Sequence, residues 1–209
     1  MYSDETFLVE DPALIRDFVE HHPFAMLVAN DAAGRPVATH LPLLVEAWDE
    51  RIVFRGHLMR DSDHGRVIDT ATKVFVCFHG PQAPVLGSWQ MTPRFGGTWN
   101  YQAVHVRGVV EARDDQTLLA HLETLKNRFE TSPDHRFDSL PRDYLDALTP
   151  MIRCIDIVVA DLQCIFKLSQ NRRIEEFDRT TLELDKQGGQ PALVAAAMRN
   201  LRGRFFAGA

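Results

Sequence analysis

Apolar residues return at every second position along several stretches of this chain. In "ATHLPLLV", Leu41, Leu43 and Val45 share one parity and His40 takes the other. In "RIVFRGHL", Ile52, Phe54 and Leu58 stand opposite Arg55 and His57, and in "KVFVCFH", Val74, Val76 and Phe78 stand opposite Lys73, Cys77 and His79. In "TWNYQAVHVRGVV", Val104, Val106 and Val110 alternate with Tyr101, Ala103, His105 and Arg107. A period of two predicts strands with one filled face. Here the second face is rich in imidazole and guanidinium groups. Absent a bulge, which would swap the faces, the interior is packed and a ligand binds on the outer wall.

Between these strands the punctuation is legible. "DPALIRDFVEHHP" reads as a helix capped by Asp11, opened by Pro12 and stopped by Pro23. "FAMLVAN", the turn "DAAGRP" and "VATHLPLLVEA" read as strand, hairpin and strand, with "RIVFRGHL" third after the "WDE" turn. A short helix is expected at "RDSDHGRVIDTA", then strands at "KVFVCFHGP", "APVLGSW" and "TWNYQAVHVRG". "QTLLAHLETLKNRFE" spaces Leu118, Leu119, Leu122, Leu125 and Phe129 as a helix does, and "PRDYLDALTP" predicts a shorter one. "MIRCIDIVVADLQCIFKL" is a long strand, and "PALVAAAMRNLRGRFF" a closing helix with a basic end. Strands joined by short turns, with helices inserted rather than alternating, predict a mainly β, mostly antiparallel barrel with peripheral helices. A single domain over residues 1–209 suffices.

Charge narrows the partners. The net charge of −6 provides no global field for nucleic acid or anionic membrane, although a local basic patch stays open. The three cysteines, Cys77, Cys154 and Cys164, are odd in number and lack CxxC spacing, so reduced thiols are expected rather than a disulfide framework or a cysteine zinc site. "MYSDETFLVE" has no signal-peptide pattern, and "CIDIVVADLQCIF", broken by Asp156 and Asp161, is too interrupted to span a bilayer. A soluble cytoplasmic protein is the expectation.

Three features offer chemistry. In "RGHLMRDSDHG" a strand gives way to a helix, and helix-start N–H groups with His57 and Arg60 would form an anion-binding corner. The alternative is that Arg60 pairs with Asp61 or Asp63 at the surface. "FKLSQNRR" presents Lys167, Ser169, Gln170, Asn171, Arg172 and Arg173, either as a ligand edge or as a capping loop. His40, His57, His79 and His105 could make a metal site, but no HxH or HExxH spacing supports one and none is expected.

Taken together and in order, "MYSDETFLVED", "FAMLVAN", "ATHLPLLV", "RGHLMR", "TWNYQAVHVRG" and "FKLSQNR" resemble the PaiB-type family of FMN-binding negative transcriptional regulators. The resemblance implies an FMN-binding split β-barrel, a homodimer, and FMN on the outer barrel wall between subunits. It implies Thr39, His40 and Leu41 beside the flavin, with backbone groups at its pyrimidine edge, and Gly56, His57 and Arg60 near its phosphate. Trp99 as an apolar wall, Asn100, Lys167, Gln170 and Asn171 would complete the groove, the last set contributed in part by the second subunit. Ser88 and Trp89 persist from a further family stretch that here reads "PVLGSWQ". Ser62 and Asp63 stand where the family usually has Asn-Pro, and the added acid would weaken anion binding.

Two functions follow. One is an FMN-binding regulator of gene expression; DNA contact is possible but unsupported by charge, since no helix-turn-helix is evident and only Arg199, Arg202 and Arg204 form a basic end. The other is a flavin-dependent oxidoreductase acting on a small molecule, with His40 and His105 as the available acid–base groups.

Overall fold

The computed structural model describes residues 4–70, 72–89 and 96–207. Met1, Tyr2 and Ser3, which open the first family stretch, lie outside the described residues, as do Ala71 and Gln90. Two compact units are present, and neither is contiguous in the chain. Unit 1 comprises 1–18, 79–104 and 163–209; unit 2 comprises 19–78 and 105–162.

Seven strands, β1 (Phe24–Asn30), β2 (Pro36–Pro42), β3 (Leu44–Trp48), β4 (Ile52–Met59), β5 (Lys73–Val85), β6 (Thr98–Ala112) and β7 (Ile152–Lys167), form one sheet in the order β2-β1-β5-β6-β7-β4-β3. The β1–β2, β1–β5, β3–β4 and β4–β7 pairings are antiparallel. The helices are α1 (Pro12–His21), α2 (Asp63–Val67), α3 (Asp115–Phe129), α4 (Arg142–Leu148), α5 (Ile174–Asp185) and α6 (Gly189–Phe205).

Local chemistry sets several boundaries. Asp11 Oδ1 accepts from the Ala13 and Leu14 N–H groups at 3.0 and 3.3 Å, opening α1. The β1–β2 hairpin is held by Asp31 Oδ1, which accepts from Ala33 and Arg35 N–H at 2.9 Å each, while Gly34 takes φ +77°. The expected strand "VATHLPLLVEA" is two strands, interrupted at Leu43, whose N–H donates to Pro23 O. A register shift between Val45 and Ala47 marks a bulge in β3. "KVFVCFHGP" and the opening "APV" of "APVLGSW" fuse into the single strand β5, followed by a 3-10 turn at Gly87–Trp89. The helix α5 has no counterpart in the sequence reading.

In unit 2 the predicted parity holds. Leu27, Leu41, Phe54, Leu58, Val76, Phe78, Val106, Ile155 and Ile157 are buried, and the Phe54 and Phe78 rings lie 4.9 Å apart. Gly56 sits against the β2–β3 junction: a Cβ there would lie 2.7 Å from Leu43 Cδ2 and 3.1 Å from Pro42 O. Strands distant in the sheet order, β2 and β4, thus approach each other, and any larger residue at Gly56 would hold them apart. On the opposite face of β4 and β7, Leu118 of α3 packs with Ile152 and Cys154, flanked by Leu122 and by Leu148 of α4.

Unit 1 is built on the helix pair. Phe177 of α5 meets Phe205 and Phe206 at 6.1 and 5.1 Å, over buried Val194, Ala195, Met198 and Leu201 of α6. The N-terminal segment joins this unit through a Leu8–Ile165 bridge and the Val9 N–H to Cys164 O bond.

Candidate functional site

The polar face predicted for the strands has two different environments in unit 2. On β4 and β7 it is roofed by α3. Register places Arg55 opposite Asp156 and His57 opposite Cys154. Asp156, 1% exposed, accepts from Arg55 Nε and Nη2 at 2.7 and 2.9 Å and from Arg113 Nε at 2.7 Å. Burial alone would raise the Asp156 carboxyl; the two guanidiniums outweigh it and hold it below the usual carboxylate range. His57 Nδ1 lies 3.2 Å from His121 Nε2 of α3. Burial, reinforced by His57 and Arg55, depresses His121 to about 4, and burial likewise lowers His57. His57 therefore faces a helix rather than joining Arg60 in an anion corner.

On β1, β2, β5 and β6 the outer face carries exposed and half-buried rings, although Cys77, on this face by parity, is buried. Phe24 pairs with Pro42, Met26 with His40, and Val28 with Ala38 across β1–β2; Val28 also pairs with Phe75 across β1–β5. Phe24 is 64% exposed and its ring stacks on His40 at 6.0 Å. The Phe75 and His105 rings meet at 4.9 Å, and Arg107 beyond them pairs with Asp161 at 2.7 Å. A groove of about 370 Å³ on this wall is lined by Val28, Lys73, Phe75, Arg107 and Val109. A second, of about 670 Å³, lies among Phe24, Pro42, Leu125 and Phe129.

At the end of β4 the chain turns into α2. Ser62 Oγ donates to Met59 O at 2.7 Å and accepts from Gly65 N–H at 3.0 Å, capping a helix of five residues. That cap uses the Gly65 N–H, the third of a helix only five residues long. Arg60 is partly exposed and only loosely paired, 3.8 Å from Asp115, whereas Arg66 engages both Asp61 and Asp63 at 2.6 Å. Arg66, not Arg60, takes the acidic neighbours. Thr39 points inward from β2, its hydroxyl 2.7 Å from His64 Nδ1. His64 is fully buried and its Nε2 has no hydrogen-bond partner. An unsatisfied buried polar group costs about 1–3 kcal/mol. Nothing in the sequence had marked His64. His121 was readable in principle, lying on the apolar face of α3 beside Leu118 and Leu122.

The remaining expected residues lie in unit 1, where most serve as framework. Asn100 is fully buried; it accepts from Ser169 Oγ at 3.0 Å and donates to Met198 Sδ at 3.5 Å. Lys167 Nζ donates to Thr98 Oγ1 and, at 2.8 Å, to Trp99 O. Gln170 accepts from Leu168 N–H at 2.8 Å and donates to Phe166 O at 2.6 Å and Thr6 O at 3.2 Å. Ser169, between them, adopts φ +66°. "KLSQN" is thus a hydrogen-bonded joint between strand and helix, the capping alternative of the sequence reading. Trp99, Ser88 and Asn171 are exposed, and Trp89 is half-buried.

His40, His57 and His105 take separate ring partners, and no group of three His, Cys, Asp or Glu able to hold a metal occurs among the described residues. The cysteines are free and buried, their thiols pushed to about 11 at Cys77 and Cys154 and about 12 at Cys164, chiefly by burial. No described helix is long and apolar enough to cross a membrane.

Comparison with known proteins converges on one family. Residues 1–161 match the family described as "Putative FMN-binding domain". The chain is 30% identical over 189 residues to protease synthase and sporulation protein PAI 2 of Bacillus subtilis (strain 168), covering 90% of each. Among solved structures, the FAD and heme binding protein from Mycobacterium smegmatis aligns with TM-score 0.58 and 16% identity, covering 77% of this chain and 73% of that one. The flavocytochrome Anf3 from Azotobacter vinelandii gives 0.57 and 11%, covering 85% and 78%. These establish the split-barrel fold. The unit 2 corner fits such a cofactor: an exposed arginine paired only at 3.8 Å suits an anionic tail, and the open Phe24–His40 and Phe75–His105 ring pairs suit a flat aromatic guest. The chain belongs to the PaiB-type FMN-binding family, a split β-barrel whose cofactor is FMN.

Proposed function

We propose that this chain is a cytoplasmic, homodimeric, FMN-binding regulator of gene expression. FMN lies against the outer wall of unit 2, its ring beside His40 and the backbone of Thr39, His40 and Leu41 and its phosphate toward Gly56 and Arg60. The observation that carries the placement is the α2 corner, where Arg60 is exposed and paired only at 3.8 Å, to Asp115. Trp99, Asn171, Ser88 and Trp89 are the unit 1 side chains to be offered to a second subunit's cofactor, with Asn100, Lys167 and Gln170 holding the backbone that presents them. Bound FMN supplies redox chemistry, which the protein orients and tunes by hydrogen bonds.

The regulatory reading is supported by the resemblance and by a relative whose name ties it to protease synthesis and sporulation. The basic end of α6 is a poor nucleic-acid reader. Arg202 is bidentate to Asp178 at 2.6 and 2.7 Å, Arg199 meets Asp185 at 3.1 Å, and Arg204 meets Asp11 at 2.5 Å. Regulation through the flavin-loaded protein or a protein partner suits this charge arrangement better than direct DNA contact.

The purified protein should show flavin bands in its visible spectrum. Arg60→Ala should lose flavin on gel filtration while its circular dichroism stays native; unchanged retention would place the phosphate elsewhere. A salt-sensitive DNA mobility shift would restore direct DNA binding. NAD(P)H-dependent bleaching of bound flavin without any effect on gene expression would replace the regulator with an oxidoreductase.

A further inference from the structure

One imidazole ties together the two places that the proposed cofactor must reach. His64 Nδ1 meets the Thr39 hydroxyl on β2 at 2.7 Å, beside the backbone assigned to the flavin ring. His64 also stands within α2, which is clamped onto the end of β4 where Arg60 leaves the strand. The clamp is tight: a Cβ on the neighbouring Gly65 would lie 2.3 Å from Met59 O and 2.4 Å from Arg60 O. Ser62 Oγ bonds to Met59 O from the other side of the turn. With Gly65 of α2 packed this closely on the Met59–Arg60 backbone, the His64–Thr39 bond ties Arg60 to the Thr39–Leu41 backbone. A neutral imidazole offers one donor and one acceptor, so Nδ1 alone serves this bond whichever role it takes.

We infer that His64 is a positioning residue that sets the spacing between the flavin-ring and phosphate subsites, through Thr39 on one side and the α2–Arg60 turn on the other. This rests on the placement of FMN at that corner. Riboflavin, which lacks the phosphate, reads the ring subsite alone; FMN needs both subsites in register. Loss of His64 should then weaken FMN while leaving riboflavin nearly unchanged.

Dissociation constants for FMN and riboflavin, measured by flavin fluorescence on apoprotein, test this, with melting temperature recorded beside them. His64→Ala should cut the preference for FMN over riboflavin by about tenfold, the loss expected when one hydrogen-bonded link no longer holds two subsites in register. His64→Asn, whose amide reaches where Nδ1 does, should restore most of that preference; His64→Gln, which mimics Nε2, should not. A lower melting temperature with an unchanged FMN-to-riboflavin ratio would make the role structural only and overturn the inference. Arg60→Ala separates the two readings. If it lowers the ratio and His64→Ala does not, only this inference fails; if Arg60→Ala leaves the ratio intact, the phosphate placement itself fails.

Discussion

Replacing Asp156 with alanine removes the anion that two guanidiniums share beneath α3. Arg55 holds it through two bonds and Arg113 through one, and the carboxylate is 1% exposed. Removing one partner of a buried ion pair costs about 3–5 kcal/mol, because the other charge is left desolvated. Here Arg55 keeps Glu46 at 2.7 Å and Arg113 keeps Glu111 at 3.4 Å, which places the loss at the lower end, about 3 kcal/mol. For a protein of this size that is a fall in melting temperature of roughly 6–12 °C. Urea unfolding with unchanged slope would give the free energy directly. The depressed carboxyl contributes stability above its unfolded pKa near ~3.9, lost as pH falls through the folded value. Asp156→Ala should therefore flatten the acid limb of the stability profile. A melting shift under about 2 °C, with native circular dichroism, would refute the reasoning that this buried ion cluster stabilises the fold.

Two further predictions concern buried polar groups. His121, depressed to about 4, contributes stability present above its unfolded value near ~6.5 and lost as pH falls toward the folded one. Lowering pH from about 7.5 to 5 should remove roughly 2 kcal/mol by urea unfolding, and His121→Leu should abolish most of that dependence; an equally steep variant would relocate it to another group. Ser169 holds φ +66°, so Ser169→Gly should be more stable than Ser169→Ala by about 1 kcal/mol although both lose the bond to Asn100. Equal melting temperatures would show that the turn relaxes.

How far the chain announces this structure depends on what each element answers to. β1 and the face parity of β2, β4, β5 and β6 obey side-chain alternation and were legible. α5 was not, because Thr180 and Thr181 fill buried positions between Phe177 and Leu184, and two β-branched polar residues mask a helical stripe. The fusion of β5 through Gly80 and Pro81 defied the expectation that such a pair ends a strand. The family stretches located the important backbone, but not what it does: "KLSQN" and "TWN" earn their hydrogen bonds from each other. His64 and His121 escaped notice because their roles depend on contacts 25 and 64 residues away in sequence.

The sealed thiols have a practical corollary. With values of about 11 to 12, Cys77, Cys154 and Cys164 are thiolate in only about one molecule in ten thousand or fewer near neutral pH. Alkylating reagents and mild peroxide should pass them by while the fold stands. A reducing agent in the buffer is therefore unnecessary for keeping these three thiols reduced.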